Sequence, residues 1–360
     1  VPVTGYVADH FDRRWVGRGT ILLDLGCCAA LGWYAWEGTT TLTALFVIAA
    51  LLGVARAFSG PAFQALAPNL VPRELLPRAI ALSSISWQSG SVIGPALGGY
   101  LYAVSPATPY FVTAGLFALS LLATLGIPVV PRPLVDTSIS FWRRTTDGIR
   151  YVRTNRLVLG AISLDLFAVL LGGATAMLPV YARDILHTGA DGLGNLRAAP
   201  ALGATLTAAW FSFRPMKSNV GVKMLWAVAL FGASTIVFGL STSMALSLAS
   251  LVILGAADMF SVNIRQSLIQ LHTPDDKRGR VGAVSSLFVS ASNELGEAES
   301  GLLAALVGPV VAVVGGGIGA IVVVAIWAWK FPELRLAKTF DPSDMGDQFP
   351  GASDQKEPAR

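Results

Sequence analysis

Charge is scarce in this 360-residue sequence: Asp, Glu, Lys and Arg make up 13% of it, against 53% hydrophobic residues. With a mean hydropathy of +0.61, the composition does not fit a soluble globular domain, in which about a quarter of residues are charged. Cysteine is nearly missing. Only Cys27 and Cys28 occur, adjacent in an apolar stretch where a disulfide between them would be strained and a metal would lack partners, so they read as small packing residues. Histidine is as scarce: His10, His187 and His272 are dispersed with no metal-ligand spacing, and with no nucleophile constellation or phosphate loop either, neither a cofactor nor an enzymatic activity is expected. No Asn-x-Ser/Thr acceptor occurs, so nothing argues for a glycosylated surface.

Apolar runs long enough to span a bilayer, about 20 residues each, lie at 20-36, 42-66, 79-103, 108-130, 157-181, 192-213, 220-241, 243-267, 281-305 and 306-329. The lipid bilayer is therefore the expected solvent. The net charge of +4 is spread over alternate connections and forms no single patch, so no nucleic-acid partner is expected. Arg13, Arg14, Arg18, Arg73, Arg78, Arg132, Arg143, Arg144, Arg150, Arg153, Arg156, Arg214, Lys217, Lys223, Lys277, Arg278 and Arg280 all fall in every second loop, and only Arg183 and Arg197 in the others. That bias makes the first set of loops cytoplasmic.

Residues 52 to 103 reappear without a gap as residues 254 to 305, with about 17 identities in the 52 aligned positions where chance gives roughly 4. Leu52 and Gly53 match Leu254 and Gly255, Gln64 matches Gln266, Pro72 matches Pro274, and Gly94 and Gly99 match Gly296 and Gly301. A period this long in an apolar chain points to duplicated helix bundles of the kind secondary transporters use. The image of Leu157 under the same shift falls about 45 residues before Val1, room for one helix and most of another. The expected architecture is twelve spans, six and six, of which ten are visible. The expected domains are an N-terminal bundle at 1-130, a cytoplasmic central loop at 131-156, a C-terminal bundle at 157-331 and a cytoplasmic tail at 332-360.

Four constellations stand out. The stretch Gly5, Asp9, His10, Asp12, Arg13, Arg14 lies on a short charged turn, where Gly permits close helix approach and Asp can accept from the positive end of a neighbouring helix; a plain basic topology anchor is the alternative reading. Arg56 precedes Gly60 by four residues inside a span, a costly position that normally faces protein or water unless the side chain snorkels. Asp24 is its candidate partner. Gly90, Gly94, Pro95, Gly98 and Gly99 follow one another in the 79-103 span, the glycines at i, i+4 and i+8 clearing one helical face and the proline permitting a kink.

The fourth constellation, Glu294, Glu297 and Glu299, puts three carboxylates in the 281-305 span. Glu294 and Glu297 share a face and Glu299 points the other way. Like charges that close suit a reversible proton carrier, and a polar seam bonded to neighbouring helices is the structural alternative. Asp165 and Asp258 are two further acids within spans, Asp258 at the repeat position of Arg56.

The first of these stretches resembles the G-x-x-x-D-R-x-G-R-R loop signature of the major facilitator superfamily, with His10 where Arg is usual and Asp12 where Gly is usual. Arg56 to Gly60 resembles its R-x-x-x-G pattern, and Gly90 to Gly99 matches the G-x-x-x-G-P-x-x-G-G signature of its drug-type antiporters. With Leu70 to Ala79 and Ala291 to Gly301, the chain looks like the superfamily's enterobactin-exporter branch. The resemblance implies an all-α integral membrane fold of two pseudo-symmetric six-helix bundles, and a proton-coupled transporter exporting a siderophore, drug or related small amphipathic molecule by alternating access. A bacterial cytoplasmic membrane and a monomer are the expected setting. Glu297 and Glu294, then Asp165 and Asp258, are the candidate proton carriers, modulated by Arg56. Gly5, Asp9, Arg13, Arg14 and the Gly90 to Gly99 motif are the candidate gating and packing residues, and Trp87, Phe167 and Phe288 are candidate substrate contacts. A proton symporter for uptake shares this fold, although the complete antiporter motif argues against it, and a non-transporting receptor or scaffold stays open.

Overall fold

The computed structural model describes residues 12-38, 41-66, 70, 75-127, 141-214, 216 and 218-340, and among them there is no strand. Gly5 and Asp9, residues 131-140 and the tail beyond residue 340 lie outside the described residues. Helix α1 spans Arg13–Glu37, α2 Leu42–Leu66, α3 Leu76–Val104, α4 Thr108–Leu125, α5 Phe141–Thr154 and α6 Arg156–Leu171. Then come α7 Ala190–Phe213, α8 Val220–Leu240, α9 Met244–Leu271, α10 Asp275–Val307, α11 Pro309–Lys330 and the short α12 Pro332–Leu336. Each expected span overlaps one of these helices, although the one at 157-181 runs past the end of α6. Seven stretches, Arg14–Glu37, Leu42–Ser59, Thr108–Leu125, Arg156–Ile185, Val220–Leu240, Met244–Leu271 and Pro309–Lys330, are long and apolar enough to cross a membrane. The chain is an all-α, multi-pass membrane protein.

Local chemistry sets several helix ends. Asp12 caps α1 by accepting from the Arg14 N–H at 3.0 Å, and Asn155 caps α6 by accepting from the Val158 N–H at 3.1 Å. Gly38 after α1 (φ 67°) and Gly308 between α10 and α11 (φ 88°) take the left-handed side of backbone space that only glycine enters freely. The span expected over 157-181 is broken: α6 stops at Leu171, and the chain continues through a 3-10 turn at Ala174–Met177 and a π turn at Tyr181–Ile185. Gly172 and Gly173 favour the break, and the absence of a side chain at Gly173 lets α10 come close. A Cβ there would stand 2.8 Å from the Gly296 carbonyl oxygen. The central segment also differs from a plain loop, because α5 forms within it. One face of α5 buries Gly148 and Val152 while Arg150 and Arg153 stay exposed, the pattern of an amphipathic helix.

The chain divides into two compact units, residues 1-139 with 189-194, and residues 140-188 with 195-360. In the first, α1 packs against α2 and α4, and α3 against α4. Arg18 Nη2 donates to the Thr124 carbonyl at 2.7 Å and Arg14 Nη1 to the Ile127 carbonyl at 3.4 Å, so two cations from α1 satisfy the open carbonyl end of α4.

In the second unit, α8 packs on α9 and α11, and α6 on α10 and α11. Leu164, Ala168, Met224, Val228, Ile264, Leu268 and Ala320 form its core. The α8 and α11 backbones meet at Gly232 and Gly317, where an added Cβ would lie 2.8 and 2.7 Å from the other glycine's carbonyl oxygen.

Candidate functional site

In the second unit, three charged side chains are gathered inside the helices. Asp165, nine residues into α6, is 6% exposed, and Arg265, two turns from the end of α9, is 2% exposed. Arg265 Nη1 is ion-paired with Asp165 Oδ2. Asp258 lies seven residues before Arg265 on α9, which at 3.6 residues per turn puts the two on nearly the same face. Asp165 and Asp258 line one cavity with Ala168, Val169, Val228, Phe231, Ala257 and Ser261, with room for about one water molecule.

The electrostatics are unequal. Removing a charge from water is tolerated only with a partner, and Asp165 has one in Arg265. Asp258 makes no ion pair among the described residues, and Arg265 Nε finds no hydrogen-bond acceptor there. Two carboxylates, one guanidinium and space for a water form a group able to hold, release and relay a proton. Among the described residues no group of His, Cys, Asp or Glu is arranged to hold a metal ion.

Arg265 is the residue that sequence reasoning missed. The repeat pairs it with Phe63, so it has no counterpart to draw notice. Its signal was local: a cation in an apolar helix, two turns after an acid on the same face.

Within the second unit, none of the three glutamates of α10 lines this cavity. Glu294 and Glu297 are on the exposed face of α10, opposite the buried Ser292, Gly296 and Ser300, whereas Glu299 is partly buried and its Oε2 has no hydrogen-bond partner among the described residues. Arg56 is exposed and makes no ion pair among the described residues, so the expected pairing with Asp24 is not formed. The buried position in that turn of α2 is Ala55, and Arg56 projects away from it. Asp12 and Arg14 form a tight pair, Nη2 to Oδ2 at 2.6 Å, which gives the acidic departure from the loop signature a capping role. Arg13 opens α1.

Each of the three candidate substrate contacts has its own surroundings. Trp87 is 74% exposed, and Phe167 leans on Trp327 with ring centres 5.2 Å apart. Phe288 packs against the buried Val152, Val158, Ile162, Ile269, Val281 and Val284, which makes it a packing residue. The aromatic at the cavity is Phe231.

In α3, Pro95 sits within a continuous helix, and a Cβ at Gly90, Gly94 or Gly98 would meet nothing within 4 Å. The cleared face meets none of the described residues. Crowding falls on Gly99, where a Cβ would stand 2.9 Å from the Gly194 Cα in the same unit.

Comparison with known proteins shows the family and agrees with the all-α fold. A family model described as the Major Facilitator Superfamily matches residues 1–297. The enterobactin exporter EntS of Shigella boydii serotype 18 is 26% identical over 345 residues, covering 94% of this chain and 82% of that protein. Among solved structures, a POT family transporter in complex with 5-aminolevulinic acid superposes with a TM-score of 0.72 at 14% identity, over 92% of this chain and 84% of that one. A D-xylose-proton symporter does so with a TM-score of 0.66 at 14% identity, over 94% and 85%.

Proposed function

The chain belongs to the major facilitator superfamily of membrane transporters, and from that premise we propose that it exports a small amphipathic molecule, a siderophore or a drug-like compound, in exchange for protons. Proton coupling rests on one observation: the buried Asp165–Arg265 pair and the half-buried Asp258 around a water-sized cavity. Acids placed inside membrane helices are costly and are kept where a transport cycle uses their charge. Protonation would favour one state of an alternating-access cycle and release to the cytoplasm the other. Export as the direction is supported by the complete glycine and proline motif from Gly90 to Gly99 and by likeness along most of the chain to a protein named as an enterobactin exporter. The distribution of basic residues supports an orientation with the segment around α5 and the tail inside, and likeness to an exporter of Shigella boydii supports a bacterial cytoplasmic membrane.

The test is movement of enterobactin, and of ethidium as a drug-like probe, in inverted vesicles with and without an imposed pH gradient. Uphill movement that needs the gradient is the expected result. Movement of either compound that ignores the gradient would overturn proton exchange, and movement only toward the cytoplasm would overturn export.

A further inference from the structure

The two acids of the cavity differ in what they can do. From α6 the cavity is faced by Asp165, from α9 by Asp258 and Ser261, and from α8 by Val228 and Phe231 alone; Arg265, below Asp258 on α9, points to Asp165. The neighbouring stretch of α7 adds no charge, since Pro200 and Gly203 are what meet Gly255 and Val252 of α9. Of the acids on α10, Glu294 and Glu297 are on its exposed face and none lines the cavity. Asp165, Arg265 and Asp258 therefore carry one negative charge in excess when all three are ionised, and a single proton brings them to neutrality.

We infer that Arg265 is a positioning residue that holds Asp165 as a permanent carboxylate, leaving Asp258 as the one acid of this cluster that takes up and releases the transported proton. The inference rests on the proton-exchange reading above and deepens it. Splitting the pair to protonate Asp165 would strand a guanidinium with no other ion-pair partner among the described residues, and that stranding is the larger cost. Protonating Asp258 strands nothing.

A carbodiimide separates the two acids without any knowledge of the substrate. Dicyclohexylcarbodiimide adds across a protonated carboxyl group in an apolar site: the acid proton passes to a carbodiimide nitrogen, the carboxylate oxygen bonds to the central carbon, and no group leaves. Peptide mass spectrometry of the protein labelled in its membrane should find the adduct on Asp258 and not on Asp165. In Arg265→Gln, Asp165 should become labelled as well, and in Asp258→Glu the adduct should move to the new carboxyl. An adduct on Asp165 in the unaltered protein, or none on Asp258, overturns the inference.

Transport supplies the second arm. With the membrane potential clamped at zero, one proton per cycle supports an approximately tenfold gradient of ethidium per pH unit and two protons an approximately hundredfold one. The double variant Asp165→Asn with Arg265→Gln should be slower yet still driven, and Asp258→Asn should build no gradient. If the unaltered protein is driven and Asp258→Asn is driven equally, only the division of labour fails. If the unaltered protein is not driven at all, the proton-exchange reading itself fails.

Discussion

Asp165 on α6 and Arg265 on α9 are ion-paired where both side chains are almost out of reach of solvent. Removing one member leaves the other charge buried and alone, so Asp165→Asn and Arg265→Met should each cost about 3–5 kcal/mol. The double variant should cost much less than the sum, because no orphan charge remains. Thermal unfolding of the four proteins in one detergent checks this. Additive losses would mean that the pair does not act as a unit.

The helices were legible in the sequence because a membrane helix announces itself by length and apolarity, and each expected span overlaps a helix. Their breaks were less legible. The turn after Leu171 depends on Gly173 meeting Gly296 across the α6 and α10 contact, which no reading along one strand of sequence reveals. The site was half legible for a similar reason. Asp165 and Asp258 were visible as acids inside spans, but three glutamates in one helix were the louder signal, and only the fold shows that Glu294 and Glu297 are on an exposed face while Asp165 and Asp258 share a cavity. Arg265 needed the fold to give it a partner.

The glycines of α3 and α8 should respond in opposite ways. At Gly90, Gly94 and Gly98 an added methyl meets nothing within 4 Å, so alanine there should leave stability unchanged or raise it by about 1 kcal/mol through better helix propensity. At Gly232 a side chain would collide with the Gly317 backbone, and Gly232→Val should lower stability by about 1–3 kcal/mol or more. Melting temperatures in detergent separate the two classes. A loss of stability at Gly94→Ala as large as that at Gly232→Val would contradict the open face.

The α5 helix is fastened to the second unit by named contacts. Tyr151 donates its hydroxyl proton to the His272 carbonyl at 2.6 Å, Lys277 lies over its ring at 5.3 Å, and Arg280 pairs with Asp147 at 3.4 Å. Tyr151→Phe keeps the ring and removes one hydrogen bond, a loss of about 1 kcal/mol, whereas Tyr151→Ala also removes the packing and the cation contact. Limited proteolysis should cut the 140-156 segment faster in the order unaltered protein, Tyr151→Phe, Tyr151→Ala. Equal rates in all three would show that Tyr151 does not hold the helix.

The two sides of α10 should differ in the solvent they meet. Ser292 and Ser300 are buried, and Glu294 and Glu297 lie on the face turned away from them. Two carboxylates on a membrane helix are tolerated where they reach water, and the cost at the bilayer centre, about 2.5–3.5 kcal/mol for Asp on insertion scales, argues against lipid. Cysteine scanning reads the difference against a quiet background, since Cys27 and Cys28 are both buried. Glu294→Cys and Glu297→Cys should react quickly with a charged methanethiosulfonate reagent that does not cross lipid. Ser292→Cys and Ser300→Cys should react slowly with the same reagent, because helix packing covers them. Reaction of the two glutamate positions only with an uncharged maleimide would place that face against lipid, and it would remove Glu294 and Glu297 from any role in carrying protons.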